Sequence, residues 1–110
     1  MKERPGRALE ICPAFVAALD GLHVGDGVVV LTWLHLADRD ALVVFPRDDR
    51  ARRPTGVFAT RSADRPNPIG VHEATIVALT PRSLTVDALE AVDGTPVIDV
   101  KASLAKLGKR

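Results

Sequence analysis

Residues 56 to 70 read GVFATRSADRPNPIG, and this stretch holds the side chains best suited to grip a ligand. Val57 to Thr60 leave a strand for a loop that bears Arg61 and Arg65; Pro66 and Pro68 follow, and Gly70 releases the chain. Each proline fixes a backbone dihedral and removes an N–H, which holds the loop in one shape. Asn67 between them can bond a neighbouring backbone or a ligand. A plain surface turn does not need this much fixed geometry, and a binding loop does. The competing reading is a rigid connection in which Arg61 and Arg65 pair with carboxylates such as Asp64 or Asp93. The residues alone leave both open.

Other chemistries are harder to place. Gly21, Gly25 and Gly27 form a glycine-rich run, but it leads into a strand, whereas a dinucleotide loop must hand its phosphate to a helix N-terminus. His23, His35 and His72 lack metal-ligand spacing and the single cysteine, Cys12, adds nothing to them, so no metal site is expected. No Ser/His/Asp order or carboxylate pair stands out. The net charge of +1 implies no polyanionic partner by itself. Arg47, Arg50, Arg52, Arg53, Arg61 and Arg65 nevertheless outnumber Asp48, Asp49 and Asp64 in one stretch, and Lys101, Lys106, Lys109 and Arg110 make the tail basic. Such a loop suits phosphate contact and equally suits a solvated surface of scattered charge.

The elements that must position this loop are strand-like nearly throughout. Ala8 to Ile11 is extended until Pro13, and Ala14 to Leu19 can make a helical turn or two before Asp20-Gly21. Val28 to Leu36 is apolar on both parities, as a strand buried on both faces must be. Ala41 to Phe45, Val71 to Leu79, Leu84 to Ala88 and Val97 to Val100 follow as further strands, separated by turns rich in Asp, Gly and Pro. Ala102 to Leu107 reads as one loose helix in a C-terminal tail. Short strands with no long amphipathic helix predict an all-β barrel or sandwich. At 110 residues, 46% of them apolar, there is room for a single domain, 1–110, with one core. Trp33, Phe15, Phe45 and Phe58 are the only aromatics, so that core must be aliphatic; Trp33 and Phe58 are read as part of it. One cysteine excludes an intrachain disulfide and suits a reducing compartment. The charged start MKERPGRALE lacks the apolar stretch of a secretory signal, and no apolar run approaches the roughly 20 residues of a membrane span. A soluble cytoplasmic protein is expected.

The string GVFATRSADRPNPIG resembles the signature GVFATRSPxRPNPIG of the TrmO/TsaA-type (YaeB-like) tRNA threonylcarbamoyl-adenosine methyltransferase family. A second match, VDGTPVIDVK from Val92 to Lys101, resembles that family's DGTPVxDIKP. A third is the apolar strand ending Leu31-Thr32-Trp33-Leu34-His35. Gly56 to Lys101 matches closely, and Leu19 to Pro46 matches in pattern.

The resemblance implies a compact β-barrel working as a homodimer, with S-adenosylmethionine near the subunit boundary. It implies methyl transfer to a nitrogen of threonylcarbamoyl-adenosine beside the anticodon of tRNA. Residue by residue, it places His35, Leu36, Arg61, Val71, Val92, Asp93, Gly94 and Thr95 at the cofactor. Arg65, Asn67 and Lys101 match signature positions that are substrate or loop candidates. Methyl transfer is an in-line displacement, so most of the catalysis can come from holding nucleophile and methyl in line in a dry site. On that chemistry Arg61 can hold a carboxylate in bidentate fashion, and Asp93 can bond the cofactor's ribose or amino group. His35 or Asp93 can accept the proton of the attacking nitrogen. His35 equally suits a pocket wall at a strand end, and His23 and His72 are read as surface or structural.

Several positions depart from the family pattern. Arg4-Pro5-Gly6-Arg7 looks like the end of a PRQ-type segment, and the N-terminal strand that precedes that segment in most members is missing. Ala63-Asp64 replaces the usual Pro plus aromatic or His, Ala-Ser replaces Pro-Tyr after Lys101, and His72 stands where many members have Ser. The first departure bears on barrel closure and cofactor affinity, the others on the choice of RNA. Two other readings follow: a non-catalytic RNA-binding β-barrel that keeps the basic loop, and a truncated relative that only dimerises.

Overall fold

The computed structural model describes residues 7–45, 51 and 53–104. The strands are β1 (Arg7–Glu10), β2 (Gly27–Trp33), β3 (Val43–Val44), β4 (Thr55–Gly56), β5 (Ile69–Thr80), β6 (Ser83–Val86) and β7 (Val97–Ala102). Among the described residues two 3-10 helices, Pro13–Leu19 and Val57–Ala59, accompany them. The expected all-β class with a short helical turn is the observed one.

Five strands form one antiparallel sheet in the order β1-β6-β5-β2-β7, and β3 pairs with β4 separately. β2 lies between β5 and β7, and its residues alternate strictly between the two faces. Val28, Val30 and Thr32 are fully buried, and Leu9, Ile76, Leu84 and Val86 complete an aliphatic core with them. Each such side chain contributes about 1.5–3 kcal/mol on burial. The other face of β2, Val29, Leu31 and Trp33, is half-buried. Its registered neighbours on β5 are Val71 opposite Leu31 and Ile69 opposite Trp33, both exposed. The doubly apolar pattern of β2 therefore reflects one packed face and one apolar outer face.

The expected barrel is not closed: the sheet is open, with β1 and β7 as its edges. Four successive antiparallel pairings make those two edges run in the same direction. The cavity beside them, about 710 Å³, has Leu9, Glu10, Ile98 and Val100 among its walls and lies against the first 3-10 helix.

Some element limits differ from the sequence reading. β2 stops at Trp33 rather than Leu36, because the Leu34 N–H turns to the Pro68 carbonyl (2.8 Å) and the Ala37 N–H closes a turn onto Leu34 (3.0 Å). His35 and Leu36 therefore sit in that turn, off the strand. Phe58 is 88% exposed on the second 3-10 helix and is no part of the core. Ala102 completes β7 in place of starting a helix. The remainder of the expected tail, Ala105 to Leu107, lies outside the described residues, as do Arg4-Pro5-Gly6, Arg47, Asp48, Asp49, Arg50, Arg52, Lys106, Lys109 and Arg110.

Candidate cofactor site

The RPNPIG loop is built from inside by Arg65. Its half-buried guanidinium donates from Nη1 to the carbonyls of Thr60 (3.1 Å) and Ser62 (3.0 Å) and from Nη2 to that of Val57 (3.0 Å). Arg39 clamps the loop from outside. Its Nε donates to the Pro66 carbonyl (2.8 Å) and its Nη2 to Asn67 Oδ1 (3.4 Å), while the guanidinium lies 5.1 Å from the Trp33 ring centroid. The Asp64 carboxylate accepts the Asp38 N–H at 2.9 Å. The choice left open by the sequence divides by residue: Arg65 and Asn67 serve the loop's own geometry. Arg61 is exposed, and its one hydrogen bond among the described residues is a 3.3 Å donation from Nη2 to the Val71 carbonyl.

Facing this loop is the segment Leu89–Thr95. Thr95 donates to the Val92 carbonyl through both its N–H (3.1 Å) and its Oγ1 (2.6 Å), closing a turn with Asp93 and Gly94 at its tip. Gly94 has φ +84°, a region that side-chain-bearing residues adopt only under strain. Arg7 at the start of β1 ties this turn down. Its Nη1 meets Asp93 Oδ1 at 2.6 Å and its Nη2 donates to the Ala91 carbonyl. The Asp93 side chain is 97% exposed, so this pair is strongly screened.

Two adjoining cavities of about 570 and 290 Å³ lie between these walls, and a third of about 290 Å³, set between the Leu89–Thr95 wall and β1, joins the second at Ala91, Val92 and Thr95 to extend the trough. The largest of the three takes Arg61, Arg65, Asn67, Val71, His72 and Glu90. The second shares Leu34, Ala63 and Glu90 with it and adds His35, Leu36, Val92 and Thr95. The third takes Asp93 and Gly94 together with Arg7 and Thr32. Every site residue expected from the sequence lines this trough except Lys101. That residue lies on β7 opposite Val29, with its Nζ 3.8 Å from Asp99 Oδ2. The 710 Å³ cavity between the sheet edges is larger than any one of the three, but it contains none of these residues.

Sequence reasoning missed four contributors. Glu90 had no motif to mark it, Arg39 looked like part of a polar turn, and Arg7 acquires its role only through a contact 86 positions along the chain. His72 is the fourth. It points to the inner side of β5, where its Nε2 lies 2.9 Å from the Oγ1 of fully buried Thr32. Gly70 makes room for the ring, since a Cβ there would lie 2.6 Å from Nε2. Burial lowers the pKa of His72 below its ordinary 6.5 and the Arg61 charge lowers it further, while Glu90 opposes both. The imidazole is therefore neutral near pH 7. Inward alternation with Gly70 and Ala74 was the available signal.

Polar and charged groups converging on a trough of this size define a small-molecule-binding β domain. The chain belongs to the tRNA-methyltransferase O N-terminal domain family, whose model matches residues 2–108. Among curated relatives, a probable S-adenosyl-L-methionine-binding protein of Archaeoglobus fulgidus is 46% identical over 93 residues, covering 84% of this chain and 25% of its own length. One of Methanothermobacter thermautotrophicus is 44% identical, with 84% and 66% covered. A crystal structure of TrmO from Pseudomonas aeruginosa aligns with TM-score 0.68 and 31% identity over 93% of this chain and 42% of that one. The chain thus spans about a quarter to two thirds of the length of these proteins. Their names agree with S-adenosylmethionine as the family's cofactor.

Proposed function

We propose that this domain binds S-adenosylmethionine in the trough and methylates threonylcarbamoyl-adenosine in tRNA, acting in the cytoplasm. One observation carries the reading: Arg61, held among the described residues by a single 3.3 Å bond to the Val71 carbonyl, keeps donors to spare at a cavity of about 570 Å³, while every other expected cofactor residue lines the same trough. The residues fit such a cofactor. Arg61 offers donors for a carboxylate, the Asp93 turn offers an acceptor for hydroxyl or amino groups, and Leu36, Ala37 and Val92 offer apolar surface to a nucleoside. The cofactor supplies an activated methyl group on a sulfonium. The protein's part is to orient that group toward the acceptor nitrogen and exclude water.

The preformed RPNPIG loop gives that orientation a fixed frame. His35 and Asp93 line the trough and can take a proton from the attacking nitrogen, whereas His72, neutral near pH 7, has its Nε2 engaged by the Thr32 hydroxyl. The outer apolar face of Leu31, Trp33, Ile69 and Val71 adjoins the trough through Ile69 and Val71. A homodimer formed on it would put the cofactor near the subunit boundary. A strand antiparallel to both β1 and β7 would close the sheet, and we extend the proposal to an upstream segment in that place.

The test is methyl transfer from radiolabelled S-adenosylmethionine to bulk tRNA, with product nucleosides resolved after digestion. Label is expected in N-methylated threonylcarbamoyl-adenosine, and Arg61→Ala should reduce it at least tenfold. Cofactor binding without label in any RNA would contradict the enzymatic reading and leave the domain a cofactor-binding module.

A further inference from the structure

The lobe beside the RPNPIG loop brings together three groups of different charge. Arg61 has N–H groups without a protein acceptor among the described residues. Glu90, exposed on the opposite wall, has no ion pair or hydrogen bond among them, yet it and Arg61 both lie close enough to His72 to act on its charge. The third group is His72 itself. The Thr32 hydroxyl is fully buried, its side-chain partner among the described residues is His72 Nε2, and we take the hydroxyl as the donor of that bond. Assigning the bond that way puts the imidazole hydrogen on Nδ1. His72 is then an uncharged donor in the lobe, held in place by Thr32 below and by the missing side chain of Gly70.

A cation and a neutral donor on one side, with a carboxylate on the other, match a zwitterion. We propose that Arg61, His72 and Glu90 form a site for an α-amino-acid group, and that this site takes the methionyl end of S-adenosylmethionine. The inference rests on the cofactor reading above and adds the cofactor's direction in the trough. The α-carboxylate lies on Arg61 and the His72 Nδ1–H, and the α-ammonium lies on Glu90. The nucleoside end then extends along the lobes of Leu36, Val92 and Asp93. Glu90 decides between the two carboxylates the reaction offers. The threonyl group of the substrate nucleoside also has a carboxylate, but its amino nitrogen is acylated and carries no charge. In this lobe it would meet Glu90 with repulsion and no compensating cation.

Calorimetry separates the possibilities with S-adenosylhomocysteine, its analogue lacking the α-amino group, 5′-methylthioadenosine, and the free threonylcarbamoyl-adenosine nucleoside. S-Adenosylhomocysteine has no sulfonium, which removes that charge as a competing partner for Glu90. The wild-type protein should bind S-adenosylhomocysteine about tenfold or more tightly than either truncated ligand. Glu90→Gln should abolish most of the advantage over the deaminated analogue and leave methylthioadenosine binding unchanged. His72→Ala should weaken S-adenosylhomocysteine several-fold. Melting curves establish that each variant is folded, and Glu90→Gln, at an exposed position, keeps the test valid if His72→Ala does not fold. Equal affinity for methylthioadenosine and S-adenosylhomocysteine would overturn the zwitterion site while the cofactor reading stands. Tighter nucleoside binding in Glu90→Gln with S-adenosylhomocysteine unaffected would assign the lobe to the substrate's carboxylate instead. No binding of any adenosyl ligand to the wild type would defeat the cofactor reading and this inference together.

Discussion

The two walls of the trough are built in opposite ways. The wall from Thr60 to His72 is braced by Arg65 on three carbonyls, by Arg39 from outside, and by the Thr32–His72 bond beneath. The wall from Leu89 to Thr95 has one turn closed by Thr95, a backbone bond from the Ala91 N–H to the Leu89 carbonyl, and Arg7, which meets the Ala91 carbonyl and forms a screened ion pair with Asp93. The first wall is preorganised and the second is held at its tip by contacts that water weakens. Within the first wall, Arg61 and Arg65 are four residues apart in one motif, yet one is free for a ligand and the other is spent on the fold. A residue's type and motif do not disclose which of these it does; its count of satisfied donors does.

The largest effect expected from this contrast comes from Arg65. Arg65→Ala removes the donor of the Thr60 and Ser62 carbonyls and one of three donors to the Val57 carbonyl, and thermal denaturation should show a loss of about 2–3 kcal/mol, allowing for the group's partial exposure. Arg61→Ala should change stability by about 0.5 kcal/mol or less and reduce cofactor affinity at least tenfold. Equal destabilisation by the two substitutions would remove the distinction between scaffold and ligand arginine.

Gly70→Ala ranks next. A Cβ there would lie 2.5 Å from Thr32 Oγ1 and 2.6 Å from His72 Nε2, so the Thr32–His72 bond must give way. A cost of about 1–3 kcal/mol is expected from denaturant titration. On the second wall, Gly94→Ala meets open space and pays only for positive φ, about 1 kcal/mol by the same titration. A larger loss at Gly94 than at Gly70 would reverse the ranking of the walls.

How much of this was legible in the sequence follows the same division. The strands were readable because alternation of apolar residues is a local signal, and β6 and the core face of β2 carry it plainly. The open sheet was not readable, because closure depends on how distant edges meet. Phe58 looked like core because it is aromatic, but a 3-10 turn beside the loop leaves it in solvent. His35 and Leu36 reached the trough on a turn where a longer strand was expected. Arg7 and Arg39 give no local sign of their roles because their partners lie far along the chain, Glu90 has neither a motif nor a hydrogen-bond partner among the described residues to mark it, and the role of His72 shows only from the side of β5 it faces.

The smallest effect is a pH dependence. His72 titrates below 6.5 in the folded protein and near 6.5 when unfolded, so between those values the unfolded chain binds more protons. The stabilisation from keeping it neutral is fully present above pH 6.5 and is lost as pH falls from 6.5 through the folded-state value. Comparing wild type with His72→Gln should show a smaller acid-side fall in melting temperature for the variant over that window. Parallel curves would place His72 outside the buried, neutral role assigned to it.

The central claim, that the trough between these two walls is the ligand site, is tested most directly by following backbone amide NMR signals during titration with S-adenosylhomocysteine. Saturable shifts are expected at Arg61, Val71 and His72 on one wall and at Glu90, Val92 and Gly94 on the other, with Leu9, Ile98 and Val100 unmoved. Shifts confined to those last three residues, which line the 710 Å³ cavity between the sheet edges, would contradict the account.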